Sequence, residues 1–442
     1  MAFFRSTLGL STTLEPITAA GIRPRSRGLG LGTRPRRKRK KTRLITGLDI
    51  GTTKVCAIIG TADEDGTVTI LGLGSAPSRG VRRGVVTNIE DTVESAAKAY
   101  SQAHKLAHVH PREVLVGIAG DHINGINLEG MVEVTNPEVG IDPRDCKRAR
   151  NKALRVVLPE DVEIIHTFLK EYVVNGQAGI SNPQGLFGHR LQAKMHVVIS
   201  SIAAANNLFR CMRQAGLKTT SVVLQSLASS QSVLSQRERE LGVVLVDIGG
   251  GTTDIAIFHN DTLQHISEVA MGGDIITQDI ARVLRFAPND AENLKKKFGH
   301  AVPPEVDADE HIEMAWGLNG QRRVMHSRRV LAEIIEARVE EILVEVQRQV
   351  RQANVADKIY AGVVLTGGTA LLEGIDAVAE RMLGYPCRIG RPTGLLGMNG
   401  VASTPIYATG VGLIRWAAEE GPGYRRESWL CRKFKEMFDL YG

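Results

Sequence analysis

The sequence predicts an α/β protein with mixed sheets, on three observations. Strands and amphipathic helices alternate from Leu44 onward, which is the pattern of layered α/β folds. A strand–glycine turn–strand stretch at 43–59 returns in closely similar form at 242–258. An apolar strand around Val364 runs into a Gly-Gly turn and then a helix.

Composition sets the outer limits. A chain of 442 residues can form two or three domains with a buried core. With 43% hydrophobic and 23% charged residues, collagen-like, disulfide-framework and wholly disordered classes are excluded. No run of ~18 uninterrupted apolar residues occurs, so no spanning helix is expected. The five cysteines (Cys56, Cys146, Cys211, Cys387, Cys431) are scattered and never spaced C-x-x-C. They argue against a disulfide scaffold or zinc site and for a reducing cytosol, and read as small packing residues.

The formal charge of +7 is unevenly placed. Residues 1–43 carry 12 Lys and Arg against a single acid, Glu15, and the remainder is mildly acidic. No nucleic-acid-binding body is expected. The 1–43 segment lacks apolar periodicity and should be a disordered basic extension. It has no apolar core of a secretory signal and only loosely resembles an organellar transit peptide. A flexible extension or an upstream start codon is the favoured reading, with weak attraction to anionic lipid as an extra.

The first motif is Asp49-Ile-Gly-Thr-Thr-Lys54 and the second is Asp247-Ile-Gly-Gly-Gly-Thr-Thr-Asp254. Each sits between two apolar strands, so each is predicted to be a hairpin tip. Glycines there let backbone N–H groups approach an anion and tolerate positive φ. Threonine hydroxyls add donors, and an aspartate at the strand end can hold Mg²⁺ through water. Two such hairpins facing each other could clamp a polyphosphate. Neither is a Walker A loop or a G-x-G-x-x-G turn, because no helix follows the glycines. The third motif, Val364-Leu-Thr-Gly-Gly-Thr-Ala370, can press backbone flat against an adenosine or be a simple strand-to-helix connection.

The order of these three motifs resembles the actin, Hsp70 and sugar-kinase superfamily, and most closely the FtsA family of actin-like cell-division proteins. Gln225-Ser-Leu-Ala-Ser-Ser230, Glu292-x-x-Lys295, Pro77-Ser-Arg-Gly80, Asn182-Pro-x-Gly-Leu186, Leu331-Ala-Glu-Ile-Ile-Glu336 and Thr409-Gly-Val-Gly412 carry the same likeness. It covers 44–442. The resemblance implies an actin-like two-lobed fold with duplicated mixed sheets around a nucleotide cleft, and a 1C insert in place of actin subdomain 1B. Subdomain 1A would comprise 44–119, 199–240 and 402–420, with 1C at 120–198. Subdomain 2A would comprise 241–275 and 355–401, with 2B at 276–354. A linker at 421–427 would lead to a terminal helix at 428–442.

The same resemblance implies ATP and Mg²⁺ as cofactors. Asp49 and Asp247 would surround Mg²⁺. Gly51, Thr52, Thr53, Gly249, Gly250, Gly251 and Thr252 would cradle phosphates. Gly273, Glu292, Lys295, Gly367 and Gly368 would hold the nucleoside end. Gln225 aligns with the water-positioning residue of relatives, or is an ordinary cleft residue. A Gln orients water but takes no proton as a carboxylate does, so hydrolysis should be slow at most.

Residues 428–442 are strongly amphipathic. Trp429, Leu430, Phe434, Met437, Phe438 and Tyr441 share one helical face, with Arg432, Lys435, Glu436 and Asp439 opposite. Lys433 falls within the apolar arc and can snorkel. The pattern fits a helix docked on the protein's own core or one lying in a membrane surface. The resemblance favours the membrane. It also implies that the 2B helix from Arg328 to Gln352 receives the C-terminal tail of FtsZ, the bacterial tubulin homologue, with Arg328 as the contact; the plain alternative is a solvated face.

The function expected is an ATP-binding, filament-forming protein that anchors the FtsZ ring to the cytoplasmic membrane and helps recruit later division proteins. It would be peripheral, on the inner face of the membrane at the division site. A metabolic kinase of the same superfamily is the enzyme alternative, though no Asp stands at the strand end before Gln225. A pilus-assembly actin-like protein is the other. An Hsp70-like chaperone is not expected, because no substrate-binding domain follows residue 420.

Overall fold

The structure, a computed structural model, describes residues 43–63, 67–316 and 322–419, without the side chains of Arg43, Ala315, Trp316, Arg322 and Asn399. The basic extension, the 421–427 linker and the terminal amphipathic segment lie outside the described residues.

Two sheets carry the two halves of the chain. The first has the strand order Lys218–Leu224, Glu113–Ile118, Arg43–Ile50, Lys54–Ala62, Val68–Pro77, Leu395–Gly397. The second has the order Cys387–Ile389, Val363–Thr366, Val243–Ile248, Thr253–His259, Thr262–Val269. In each, an antiparallel meander of three strands is extended from its first strand by two parallel strands. The repeated sequence stretch is thus the opening hairpin of a repeated sheet.

Sequence period explains how the first sheet is covered. Val55, Ala57 and Ile59 pack with Ala96, Ala99 and Tyr100 of helix Ile89–Ala107. The intervening Cys56 and Ile58 pack with Val411, Leu413 and Ile414 of helix Ala408–Glu419. Alternate residues of a strand face opposite ways, so a strand covered on both sides is apolar throughout. Val243–Ile248 is the same case: all six of its residues are buried. Helix Ala408–Glu419 also crosses helix Gln225–Val233 closely. A Cβ on Gly412 would stand 1.7 Å from the Ala228 carbonyl oxygen, so only glycine permits the approach.

Two additions flank the sheets. Between Ile118 and Ile202 lies an antiparallel sheet, ordered Asn124–Glu133, Arg190–Ser201, Val162–Val174, Gln177–Ile180. Helix Pro143–Ala153 packs on it and starts at Asp142, whose side chain takes the N–H groups of Arg144 and Asp145. In the second half, helices Gly273–Leu284 and Pro288–Phe298, a hairpin of His311–Trp316 with Arg322–Ser327, and helix Arg328–Gln352 follow one another. The long helix buries Leu331, Ile335, Val339, Ile342, Val346 and Val350, one stripe at three- and four-residue spacing.

Among the described residues, Cys56, Cys146, Cys211 and Cys387 are free thiols, the first three buried. No described helix is long and apolar enough to cross a membrane.

Candidate functional site

Both glycine motifs form hairpin tips closed in the same way. Gly51 N–H donates to the Lys54 carbonyl at 3.0 Å, and Gly249 N–H donates to the Thr252 carbonyl at 2.9 Å. The tips face each other and touch. A Cβ on Gly250 would lie 2.4 Å from Thr53 Cγ2, and one on Gly251 2.6 Å from Thr52 Oγ1. Side chains there would hold the lobes apart.

Beneath the tips is a cleft of ≈ 670 Å³. Its walls include Asp49, Gly51, Thr52, Thr53, Gln225, Asp247, Gly249, Gly250, Gly251, Thr252, Gly273, Glu292, Lys295, Gly367 and Gly368. Residues separated by more than 300 positions therefore converge on one space.

The third turn is fastened to the second hairpin. Thr369 Oγ1 donates to the Gly249 carbonyl at 2.9 Å. Gly367 has φ +87°, and a Cβ there would lie 2.4 Å from Asp247 Oδ1. Gly368 has no atom within 4 Å of its Cβ position, which leaves flat open backbone on the cleft wall. Also on the cleft wall, Lys295 is held by Glu292 at 2.6 Å, the Gly273 carbonyl at 2.8 Å and Thr277 Oγ1 at 2.7 Å. Burial pushes the Lys295 pKa down. Burial works to raise Glu292, but hydrogen bonds from Lys295 and Thr277 hold it below its ordinary value.

The cleft floor is rich in buried carboxylates. Burial raises Asp49 to about 6, with Lys54 opposing and Asp247 reinforcing the shift. Burial also raises Asp247, against hydrogen bonds from Ser229 at 2.6 Å and Thr409 at 3.5 Å. Asp254 is pushed well up by burial and by Glu268 beside it. Glu268 is itself lifted to about 7 by burial, although it accepts the Gly120 N–H at 2.6 Å. Lys54 supplies the nearby cation; its Nζ donates to the Ile406 carbonyl at 2.6 Å and lies 4.3 Å from the Tyr407 ring centroid. An all-oxygen donor set short of positive charge fits a hydrated Mg²⁺. No group of three or more His, Cys, Asp or Glu among the described residues could hold a metal ion. An ion here would take its other ligands from water and a bound anion.

Gln225 opens helix Gln225–Val233 and is 8% exposed. Its Nε2 donates to the Ile50 carbonyl at 3.3 Å, which fixes the amide at the base of the first hairpin. Arg328 lies outside the cleft walls. Its guanidinium is engaged by the Phe298 carbonyl at 3.0 Å and Glu310 at 2.8 Å. Trp429, Leu430, Phe434, Met437 and Phe438 lie outside the described residues.

Sequence reasoning assigned no role to Lys54, Ser229, Asp254, Glu268 or Thr409. Lys54 and Asp254 close the two motifs at matching positions, and that opposition of charge was readable. Ser229 lies one helical turn after Gln225, which was also readable. Glu268 reaches Asp254 only through cross-strand register, and nothing local in the sequence fixes that register.

Two related sheets, each offering a glycine hairpin to a shared cleft, define an actin-like protein. Solved structures agree on the fold. The PilM–PilN type IV pilus biogenesis complex matches with a TM-score of 0.60 at 16% identity, covering 85% of this chain and 99% of that one. MreB 5 of Spiroplasma citri bound to AMPPNP matches with a TM-score of 0.52 at 14% identity, covering 86% and 98%; it was also solved bound to ADP. The sequence narrows the class. The family model "Cell division protein FtsA" matches residues 244–412, and "SHS2 domain inserted in FTSA" matches 120–199. Cell division protein FtsA of Pseudomonas aeruginosa is 41% identical over 378 residues, 86% of this chain and 90% of the relative. That of Escherichia coli K12 is 38% identical over 384 residues, 85% and 91%. The chain belongs to the FtsA family of cell division proteins.

Proposed function

We propose that the cleft binds ATP with Mg²⁺ and that binding governs assembly of the protein into filaments on a membrane. The observation that carries this reading is the contact between the two hairpin tips, Thr53 against Gly250, above a floor of buried carboxylates. The solved MreB 5 structures bound to ADP and AMPPNP support it as fold neighbours.

In this reading the N–H groups and hydroxyls of Gly51, Thr52, Thr53, Gly249, Gly250, Gly251 and Thr252 hold the phosphates. Asp49 and Asp247 hold hydrated Mg²⁺, which would neutralise phosphate charge. Gly273, Gly367 and Gly368 offer backbone to the nucleoside, and Glu292 with Lys295 orients it. Gln225 points water without accepting its proton, so turnover is slow.

Residues 428–442 are the membrane anchor in this account. Each buried Leu, Met or aromatic side chain contributes ~1.5–3 kcal/mol at best, and helix ordering subtracts from that. One helix binds reversibly; many on one filament gain ~10²–10⁴-fold by avidity. The protein then tethers FtsZ, through its C-terminal tail, to the cytoplasmic face of the inner membrane at the division site. The helix beginning at Arg328 receives that tail, and later division proteins use the 120–198 insert. In the same reading 120–198 is subdomain 1C and 276–354 is subdomain 2B, with 1A and 2A carrying the two large sheets. Vesicle co-sedimentation of wild type and Trp429→Glu, with and without ATP, tests it. Loss of binding in the variant and ATP enhancement in wild type are expected; equal binding in all four would count against it.

A further inference from the structure

A second cavity, larger than the cleft at ≈ 1080 Å³, opens where the insert meets both lobes. Leu158, Ile164 and Phe168 of the insert line it, with Leu263 of the second lobe and Trp416 of the first. Its rim loop, between helix Pro143–Ala153 and strand Val162–Val174, leaves Val157 97% exposed. Polar side chains such as Gln231 and Thr262 share the lining, but the apolar part of the wall, with Val157 beside it, is expensive to leave in water.

The position of the chain end points to an occupant. Trp416 and Glu419 belong to helix Ala408–Glu419, the last described element, and both line this cavity. The chain therefore leaves the described structure from the cavity wall. The eight residues 420–427 can span up to ~26 Å, ample for the following segment to turn back. A helix with side chains is ~10–12 Å across, so a hollow of this volume takes one face of it. Residues 428–442 have such a face in Trp429, Leu430, Phe434, Met437 and Phe438. Charge is compatible: Glu163, Asp261 and Glu419 line the cavity, Asp261 paired with Arg239 at 2.8 Å, and Lys433 lies within the segment's apolar arc.

We infer that this cavity is the off-membrane dock of residues 428–442. The inference rests on the reading of that segment as the membrane anchor, and it adds a competitor for the same apolar face. Lipid and cavity then exclude each other. Because the walls come from both lobes and the insert, a rearrangement that closes the hollow raises lipid affinity by the factor that lipid raises that arrangement.

Two variants of the full chain test this. Leu158→Glu places a charge in the mouth from an irregular surface loop. If the segment is docked about nine-tenths of the time, freeing it lowers the half-saturating concentration of phosphatidylglycerol–phosphatidylcholine vesicles about tenfold. An unchanged value overturns the inference. Leu158→Cys should form an intramolecular disulfide with the native Cys431 on mild oxidation, visible as a reduction-sensitive species of monomer size, and vesicles should suppress it. Absence of the cross-link, or a cross-link only between two chains, overturns the inference; the latter assigns the cavity to a second copy. Trp429→Glu separates the two claims. If it loses vesicles while Leu158→Glu matches wild type, only docking fails. If it binds vesicles like wild type, the anchor reading fails, and with it the competition between cavity and lipid.

Discussion

Ser229 Oγ donates to Asp247 Oδ2 at 2.6 Å, joining a helix of the first lobe to the hairpin base of the second. The hydroxyl also lies 3.0 Å from Thr409 Oγ1, on the helix that Gly412 allows to pack closely. Two hydroxyls from one lobe thus favour the charged form of a buried carboxylate of the other, against the burial that raises its pKa. Hydrogen bonds to charged groups contribute ~1.5–3 kcal/mol. Ser229→Ala is expected to weaken Mg-ATP binding about tenfold in calorimetric titration, and Thr409→Ala to weaken it less, since its bond is longer. Equal, unchanged affinities would remove Ser229 from the site.

The hairpin tips make a paired prediction. Gly250→Ala puts a methyl 2.4 Å from Thr53 Cγ2, whereas Gly368→Ala meets nothing within 4 Å. Thermal unfolding should show both variants folded. Only the first should lose the rise in Tm with Mg-ATP entirely; the second should lose a part, through the nucleoside face. The reverse order would misplace the two ends of the ligand.

His166 governs part of the acid sensitivity. Its Nε2 accepts the Leu224 N–H at 3.1 Å, and burial lowers its pKa from 6.5 to about 4. The neutral ring is therefore favoured in the folded state. Its contribution is fully present above pH 6.5 and is lost as pH falls through 4. The residue is only partly buried, so about 1–2 kcal/mol is at stake. His166→Gln keeps an acceptor for Leu224. Urea midpoints at pH 7.5 and 4.5 should fall less steeply for it than for wild type; parallel falls would contradict the assignment.

Arg328 is already partnered by Glu310 at 2.8 Å, so an acidic tail must compete for it. Glu310→Gln should raise the affinity for an FtsZ tail peptide a few-fold, about 1 kcal/mol, and Arg328→Glu should lower it. Fluorescence anisotropy with both variants checks this; two unchanged affinities would move the tail elsewhere.

Much of the site could be read from the sequence, because its parts are local. Asp49 to Lys54 and Asp247 to Asp254 each fold as one hairpin, and a hairpin's glycines announce its turn. The helix from Arg328 to Gln352 was equally plain, since its apolar stripe from Leu331 to Val350 repeats for more than five turns. What escaped was set by register and packing. The Asp254–Glu268 contact depends on which residues pair across two strands. The engagement of Arg328 depends on where the preceding hairpin places Glu310. The cavity at Phe168 exists only because three separate segments stop short of one another.

Every role assigned to the hairpins requires the cleft to be a nucleotide site. Isothermal titration of the purified full chain with ATP at millimolar Mg²⁺ tests it most directly. One ATP per chain is predicted, with affinity falling sharply in Asp247→Asn. No detectable uptake of adenine nucleotide under those conditions would contradict it.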